Sequence, residues 1–212
     1  MTSLVLASAS PARRMLLTNA GVSAEIRVSS VDEEALAESL APIAPIDLCL
    51  ALARAKARDV AQQFSAADDV IVLGCDSVLD VDGIAYGKPG DADAARARWQ
   101  QMAGRSGFLR TGHWLIAPST GQELGEVASS EVFHARPTAI EIEAYIATGE
   151  PLQVAGGFTL DALGGAFIEK INGDPSNVVG LSLPLLRLLL QQFEVTWTDL
   201  WVGLQQEGQT QD

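Results

Sequence analysis

The stretch from Asp69 to Leu79 constrains this chain more than any other. Its centre, Val70-Ile71-Val72-Leu73, is a continuous apolar run and not an alternating one, which marks a strand of the fully buried type. Asp76 falls inside that strand, between Gly74-Cys75 and Ser77-Val78-Leu79. A carboxylate in such a place is costly unless it is paired, metal-bound or protonated. Desolvation raises its pKa and a lysine or metal lowers it, so either way Asp76 is a candidate functional group. The alternative is a strand-end aspartate that reaches solvent.

Strands and helices alternate around this run. Leu4 to Ser8 reads as a short buried strand, Ser10 as an N-cap, Pro11 as the first helical residue and Gly21 as the stop. Ala24 to Ser30 reads as a second strand, and residues 35–45, with prolines at 42 and 45, carry no assignment. A long helix is expected from Asp47 to about Phe64, with the stripe Cys49, Leu52, Ala53, Lys56 and Val60 at helical spacing. Asp82-Gly83 signals a hairpin turn, with Ile84 to Tyr86 returning. Asp91 caps a helix to about Ala103, and Leu109 to Ala117 and Val127 to Ala135 form a strand pair around Ser119-Thr120-Gly121. Thr138 and Glu141 make a capping box for a helix through Ala147, stopped by Gly149. After a glycine-rich stretch at 154–165 come a strand, Phe167 to Ile171, and a last helix, about Pro184 to Gln192. The expected fold is α/β with a mixed, largely parallel sheet, in one domain over 1–204 and with a polar tail at 205–212.

The net charge of −13 argues against nucleic acid or an anionic membrane as partner. No run approaches the length of an apolar membrane span, no secretory signal is visible, and neither Cys49 nor Cys75 suggests a disulfide, so a cytoplasmic protein is expected. An acidic chain that holds an anion must gather its few cations in one place. Only three lysines exist, and one of them, Lys56, sits in an apolar helical stripe, where it either snorkels at the edge or holds an anion. Lys88 ends the hairpin that begins near Asp76, and the turn is expected to return it to about the level of that carboxylate. Strand–Ser8-x-Ser10-Pro11–helix, with Arg13 in the first turn, offers helix N–H groups, hydroxyls and a guanidinium to a phosphate, though an ordinary capped helix reads the same way. A hard metal on Glu33 and Asp76, such as magnesium, fits the carboxylates, whereas His113 and His134 are the only histidines and no zinc spacing exists. Gly83 to Pro89 is a residue short of a phosphate loop, and no dinucleotide fingerprint or serine-hydrolase elbow is present.

Taken together, these pieces resemble the Maf family of nucleoside triphosphate pyrophosphatases. The resemblance rests on Leu6-Ala7-Ser8-Ala9-Ser10-Pro11-Ala12-Arg13-Arg14, Val31-Asp32-Glu33, Leu52-Ala53-Arg54-Ala55-Lys56-Ala57 and Gly74-Cys75-Asp76-Ser77-Val78. It continues through Gly87-Lys88-Pro89, Thr148-Gly149-Glu150-Pro151, Ala155-Gly156-Gly157-Phe158 and Asn177-Val178-Val179-Gly180-Leu181. It implies a three-layer α/β/α fold, a homodimer, a divalent metal (Mg²⁺ or Mn²⁺) on Glu33 and Asp76, and hydrolysis of a nucleoside triphosphate to monophosphate and pyrophosphate. The implied functional residues are Ser8, Ser10, Arg13, Glu33, Lys56, Asp76 and Lys88, with Asp76 also as general base. At the positions linked to base choice this chain has Ala12, Ser77 and Asp161, which match neither the dTTP/UTP type nor the 7-methyl-GTP type. Competing readings are the related inosine-triphosphate class and a non-catalytic nucleotide sensor acting on cell division or shape.

Overall fold

The computed structural model describes residues 2–201, so the polar tail expected at 205–212 lies outside the described residues. The elements in chain order are β1 (Ser3–Leu6), α1 (Pro11–Asn19), β2 (Ala24–Ile26), α2 (Glu33–Leu40), α3 (Pro45–Ala61), β3 (Val70–Val81) and β4 (Ile84–Tyr86). They are followed by α4 (Ala92–Met102), β5 (Ser106–Ala117), β6 (Gln122–His134), α5 (Ala139–Ala147), β7 (Ile168–Asn172), α6 (Pro175–Val179) and α7 (Leu183–Gln191). The strands form one sheet in the order β2-β1-β3-β5-β6-β7, with β4 also on β3. The sheet is mixed, as expected, but its parallel part is confined to β2-β1-β3. From β3 outward every pairing is antiparallel, which corrects the expectation of a largely parallel sheet. For β3–β4 and β5–β6 the cause is local: the Asp82-Gly83 and Ser119–Gly121 turns join strands too closely for a crossover, and a tight turn permits only antiparallel neighbours.

β3 organises the molecule. Its alternate residues Leu73 and Cys75 face one layer, where they pack with Leu17 of α1 and with Leu186 and Leu190 of α7. Further along the same face, Leu79 and Val81 meet Trp99 and Met102 of α4 and Ile142 of α5. The opposite face carries Val72, which packs on Val60 of α3. Two glycines let α3 lie directly on the sheet backbone: a Cβ at Gly74 would stand 2.1 Å from the Ala53 carbonyl oxygen, and one at Gly112 2.4 Å from that of Cys49. The full stripe Cys49, Leu52, Ala53, Lys56 and Val60 is buried, as its spacing predicts.

The capping signals hold. The Ser10 side chain accepts from Arg13 N, Asp91 caps α4, the Thr138–Glu141 capping box is complete, and Gly21 and Gly149 take φ +78° and +77° past their helices. Asp82 and Gly83 both have positive φ, as a two-residue hairpin requires. Two elements are additions. Residues 33–40 form α2, capped by Asp32, and they lack a readable stripe because none of them is buried. α6 spans five residues, too few for periodicity to register. β2 ends at Ile26, short of the expected Ser30.

His113 is fully buried on β5. Its Nδ1 lies 3.0 Å from the Thr111 carbonyl and must donate, while its Nε2 accepts from the Ser182 N–H at 2.9 Å. Both nitrogens are thus committed in the neutral ring, and burial pushes its pKa down from 6.5 to about 4. A histidine whose pKa falls on folding contributes stability that is full above the unfolded value and is lost as pH drops toward the folded one. We expect unfolding free energy to fall on acidification from pH 7.5 to 4.5 by roughly 2–3 kcal/mol more in wild type than in His113→Gln, measured by urea titration. Gly74→Ala should cost about 3 kcal/mol or more by forcing α3 off the sheet; an unchanged urea midpoint would contradict the close approach.

Candidate active site

β1 and β4 pair with the same edge of β3, β1 along Val70–Leu73 and β4 along Leu79–Val81. Between them, Gly74 to Val78 pairs with no described strand on that side, and several of the candidate side chains collect at this gap. On the α3 face, Lys56 Nζ lies 2.6 Å from Asp76 Oδ1 and 2.8 Å from Glu33 Oε1. Lys56 is 7% exposed and Asp76 7% exposed, so this is a buried pair, whereas the Glu33 side chain is half exposed at the start of α2. Gly112 stands opposite Asp76 in the sheet register and leaves no side chain between it and α3.

A second network lies at the start of α1. Arg13 is buried and donates from Nε to the Gly180 carbonyl (2.7 Å), from Nη1 to Ser8 Oγ (3.1 Å) and to the Cys75 carbonyl (2.8 Å), and from Nη2 to Ser77 Oγ (2.9 Å). Four of its five N–H donors are therefore engaged, and its contribution to a ligand is mainly charge. Among the described residues no carboxylate forms an ion pair with it. Ser8 Oγ accepts from Ser10 N as well as from Arg13, which leaves the hydroxyl proton free to donate. Ser10 Oγ accepts from Arg13 N at 3.4 Å. The two networks meet at consecutive residues, Cys75 and Asp76. Burial pushes the Asp76 carboxyl up, the ammonium of Lys56 and then the guanidinium of Arg13 pull against it, and the net direction is upward. Both thiols are pushed up to about 12, chiefly by burial, and are inert.

The remaining expected residues are less tightly gathered. The chain leaves β4 toward the gap, yet Lys88 is exposed and, among the described residues, makes no ion pair with Asp76 or any other carboxylate. Ala12 is half-buried beside Arg13. The hydroxyl of Ser77 is taken by Arg13 and by Thr111 Oγ1 at 2.9 Å. Asp161 is exposed on the glycine-rich loop. That loop is gathered by Glu150, whose carboxylate accepts from Tyr145 OH (2.9 Å), Thr159 Oγ1 (2.5 Å), Gly164 N (3.0 Å) and Leu163 N (3.3 Å). Sequence reasoning did not single out Glu150, Thr111 or the Gly180 carbonyl. The Thr148–Pro151 and Asn177–Leu181 segments were the available signals, but neither reveals which atom is used.

Among the described residues no three His, Cys, Asp or Glu side chains gather into a metal cage. Glu33 and Asp76 nonetheless converge on the Lys56 ammonium, and among the described residues none donates a hydrogen bond to Asp76 Oδ2. Two hard oxygen donors suit Mg²⁺ or Mn²⁺, which commonly bind through one or two carboxylates plus substrate oxygens.

Removing the ammonium would strand Asp76. We expect Lys56→Met to lose about 3–5 kcal/mol of stability at pH 8. The loss should shrink at pH 5, because a carboxyl whose folded pKa is raised costs stability as pH rises through its unfolded value and stops costing it when protonated. Equal losses at both pH values in denaturant titrations would mean that Asp76 is not the group left unpaired.

Sequence comparisons identify the family. The Maf family, described as Maf-like protein, matches residues 3–193. A nucleoside triphosphate pyrophosphatase of Rhodococcus erythropolis is 52% identical over 207 residues, covering 95% of this chain and 97% of the relative. One of Streptomyces coelicolor is 52% identical over 198 residues, covering 93% and 94%. A solved nucleoside-triphosphatase / dITP/XTP pyrophosphatase from Mycobacterium abscessus aligns with a TM-score of 0.38 and 17% identity over 66% of this chain and 77% of its own, a likeness too distant to bear on function. With a family match across nine-tenths of its length and half its residues shared with full-length members, the chain belongs to the Maf family.

Proposed function

We propose that this protein hydrolyses nucleoside triphosphates to nucleoside monophosphate and pyrophosphate, the activity its relatives are named for. The observation that carries the proposal is the buried Lys56–Asp76 pair, with Glu33 on the same ammonium, at the open edge of β3 beside the Arg13 charge. A structural pair needs neither a second carboxylate nor an arginine without an ion-pair partner next to it.

In this reading the triphosphate lies along the gap. The N-terminal N–H groups of α1 and the hydroxyls of Ser8 and Ser10 donate to its oxygens, and Arg13, Lys56 and Lys88 offset its charge. Glu33 and Asp76 would hold a divalent cation, Mg²⁺ or Mn²⁺, which when bound offsets charge on the phosphate oxygens. Asp76 Oδ2 accepts a proton from water as the water oxygen attacks the α-phosphorus. The Pα–O bond to the β-phosphate breaks and pyrophosphate leaves with the bonding electrons. A carboxyl raised by burial is a better base at neutral pH than an exposed one. Catalysis then rests on positioning and on fixed charges around the developing charge.

Base choice would involve Ala12, Ser77 and Asp161. Asp161 accepts hydrogen bonds from amino or imino groups, and Ala12 leaves space. We read the role as removal of non-standard nucleotides by a homodimer built from one domain over 1–204, and the two free, buried cysteines fit a cytoplasmic home. Among the described residues no helix is long and apolar enough to cross a membrane.

Pyrophosphate release across a panel of standard and modified nucleoside triphosphates, at fixed Mg²⁺, tests the proposal. Asp76→Asn should keep the fold and lose at least about 100-fold in turnover. Lys88→Ala should weaken both binding and rate. Tight nucleotide binding with no pyrophosphate released from any nucleotide would instead favour the sensor reading.

A further inference from the structure

The segment that carries Lys88 is fixed on both sides, while the lysine itself is exposed and has no ion pair among the described residues. Before it, the Gly87 carbonyl accepts from Gly156 N at 3.1 Å and from Arg98 Nη1 at 2.5 Å. After it, Gly90 N donates to the Leu152 carbonyl at 3.0 Å. The Arg98 guanidinium also lies over the Tyr86 ring, 4.9 Å from its centroid, at the end of β4. Its neighbour Trp99 ties the glycine-rich loop to the same place through Nε1 and the Gly157 carbonyl, 3.0 Å apart. A fixed mount whose ammonium meets no carboxylate among the described residues is suited to present that ammonium to something else.

Arg98 is unusual among the cations. Four described arginines are not exposed: Arg13, Arg96, Arg98 and Arg110. Arg96 pairs with Glu143 and Asp93, and Arg110 with Asp80. Among the described residues Arg13 and Arg98 have no carboxylate partner, and each spends charged donors on a backbone carbonyl, of Cys75 and of Gly87. Arg98 Nε is buried without any hydrogen-bond partner, a further cost. Burial also pulls the guanidinium pKa down. The Gly87 carbonyl already has the Gly156 N–H, so simple satisfaction of that oxygen does not call for a second, charged donor.

We propose that Arg98 is a positioning residue: it clamps the Gly87 carbonyl and the Tyr86 ring so that the ammonium of Lys88 is held toward the gap for an anionic, polyphosphate-type ligand. The proposal rests on the hydrolase reading above for its kinetic readout, but not for its structural one.

A double-mutant cycle tests it. Pyrophosphate release is measured for wild type, Arg98→Gln, Lys88→Ala and the double variant. Arg98→Gln should lower kcat/KM about tenfold when Lys88 is present and less than about twofold when Lys88 is already alanine, because a residue that acts through another has no effect once that other is gone. Equal losses in the two backgrounds overturn the proposal. Arg98→Lys, which keeps charge and a donor, should recover part of the loss, and it replaces Arg98→Gln in the cycle if that variant does not fold. The second readout needs no turnover. With only three lysines in the chain, ¹³C-methylated lysines give few NMR signals, and the Lys88 signal is identified by its loss in Lys88→Ala. It should shift or broaden in Arg98→Gln; an unchanged signal overturns the proposal. If wild type releases no pyrophosphate from any nucleotide, the hydrolase reading fails, and the NMR comparison alone decides the role of Arg98.

Discussion

The buried contact between Lys56 and Asp76 is the constraint on which the rest of the architecture turns. Two opposite charges removed from water repay their desolvation only with good geometry, and removing either partner strands the other. The fold supplies that geometry through absence. Gly74 and Gly112 have no side chains, α3 comes down onto the sheet backbone, and a helical position that would otherwise take an aliphatic residue delivers an ammonium to a strand carboxylate. The chain could not easily have a larger residue at either glycine and keep the pair. The same closeness explains why burial and Lys56 act on Asp76 in opposite directions and leave its carboxyl above the ordinary range.

A second constraint is the way β3 is shared. Twelve residues long, it gives one end of an edge to β1 and the other to β4. The interval between them is where regular pairing stops and side chains take over. Arg13 claims the Cys75 carbonyl there, and through its other donors it draws the start of α1, Ser77 and the Gly180 turn to the same point. Backbone groups that a strand would have satisfied are thus partly met by a charged side chain, and a region of positive charge is left beside a carboxylate pair. Phosphate chemistry needs that juxtaposition.

Much of this was legible in the sequence, for a consistent reason. Asp76 and Lys56 each interrupt an apolar pattern, one of a buried strand and one of a helical stripe, and a polar residue in such a place must have a partner. Caps and turns were readable because Ser10, Asp91, Thr138 and the Asp82-Gly83 pair act on backbone a few residues away. The balance of parallel and antiparallel pairing was not, because it depends on which edge a returning strand selects. Arg13 looked like a phosphate fork, yet most of its donors are spent on carbonyls and hydroxyls from residues as distant as Gly180. Thr111 and Glu150 escaped notice because each acts through tertiary hydrogen bonds that leave no periodic trace. Lys88 was expected level with Asp76; the hairpin register starts from Tyr86 opposite Leu79, and the lysine stays exposed beyond it.

The helix that bears Glu33 has no buried side chain, in contrast to α3. Little apolar surface is exposed when such an element lifts away, so its local opening free energy lies far below that of the core. The two acidic contributions to the site therefore differ in permanence. Asp76 is held by global folding, whereas Glu33 belongs to a segment that can detach and return while the sheet stays intact. Amide hydrogens of Glu33–Leu40 would then exchange by sub-global fluctuation and those of Pro45–Ala61 mainly by complete unfolding, which makes the approach of Glu33 an adjustable part of an otherwise fixed centre.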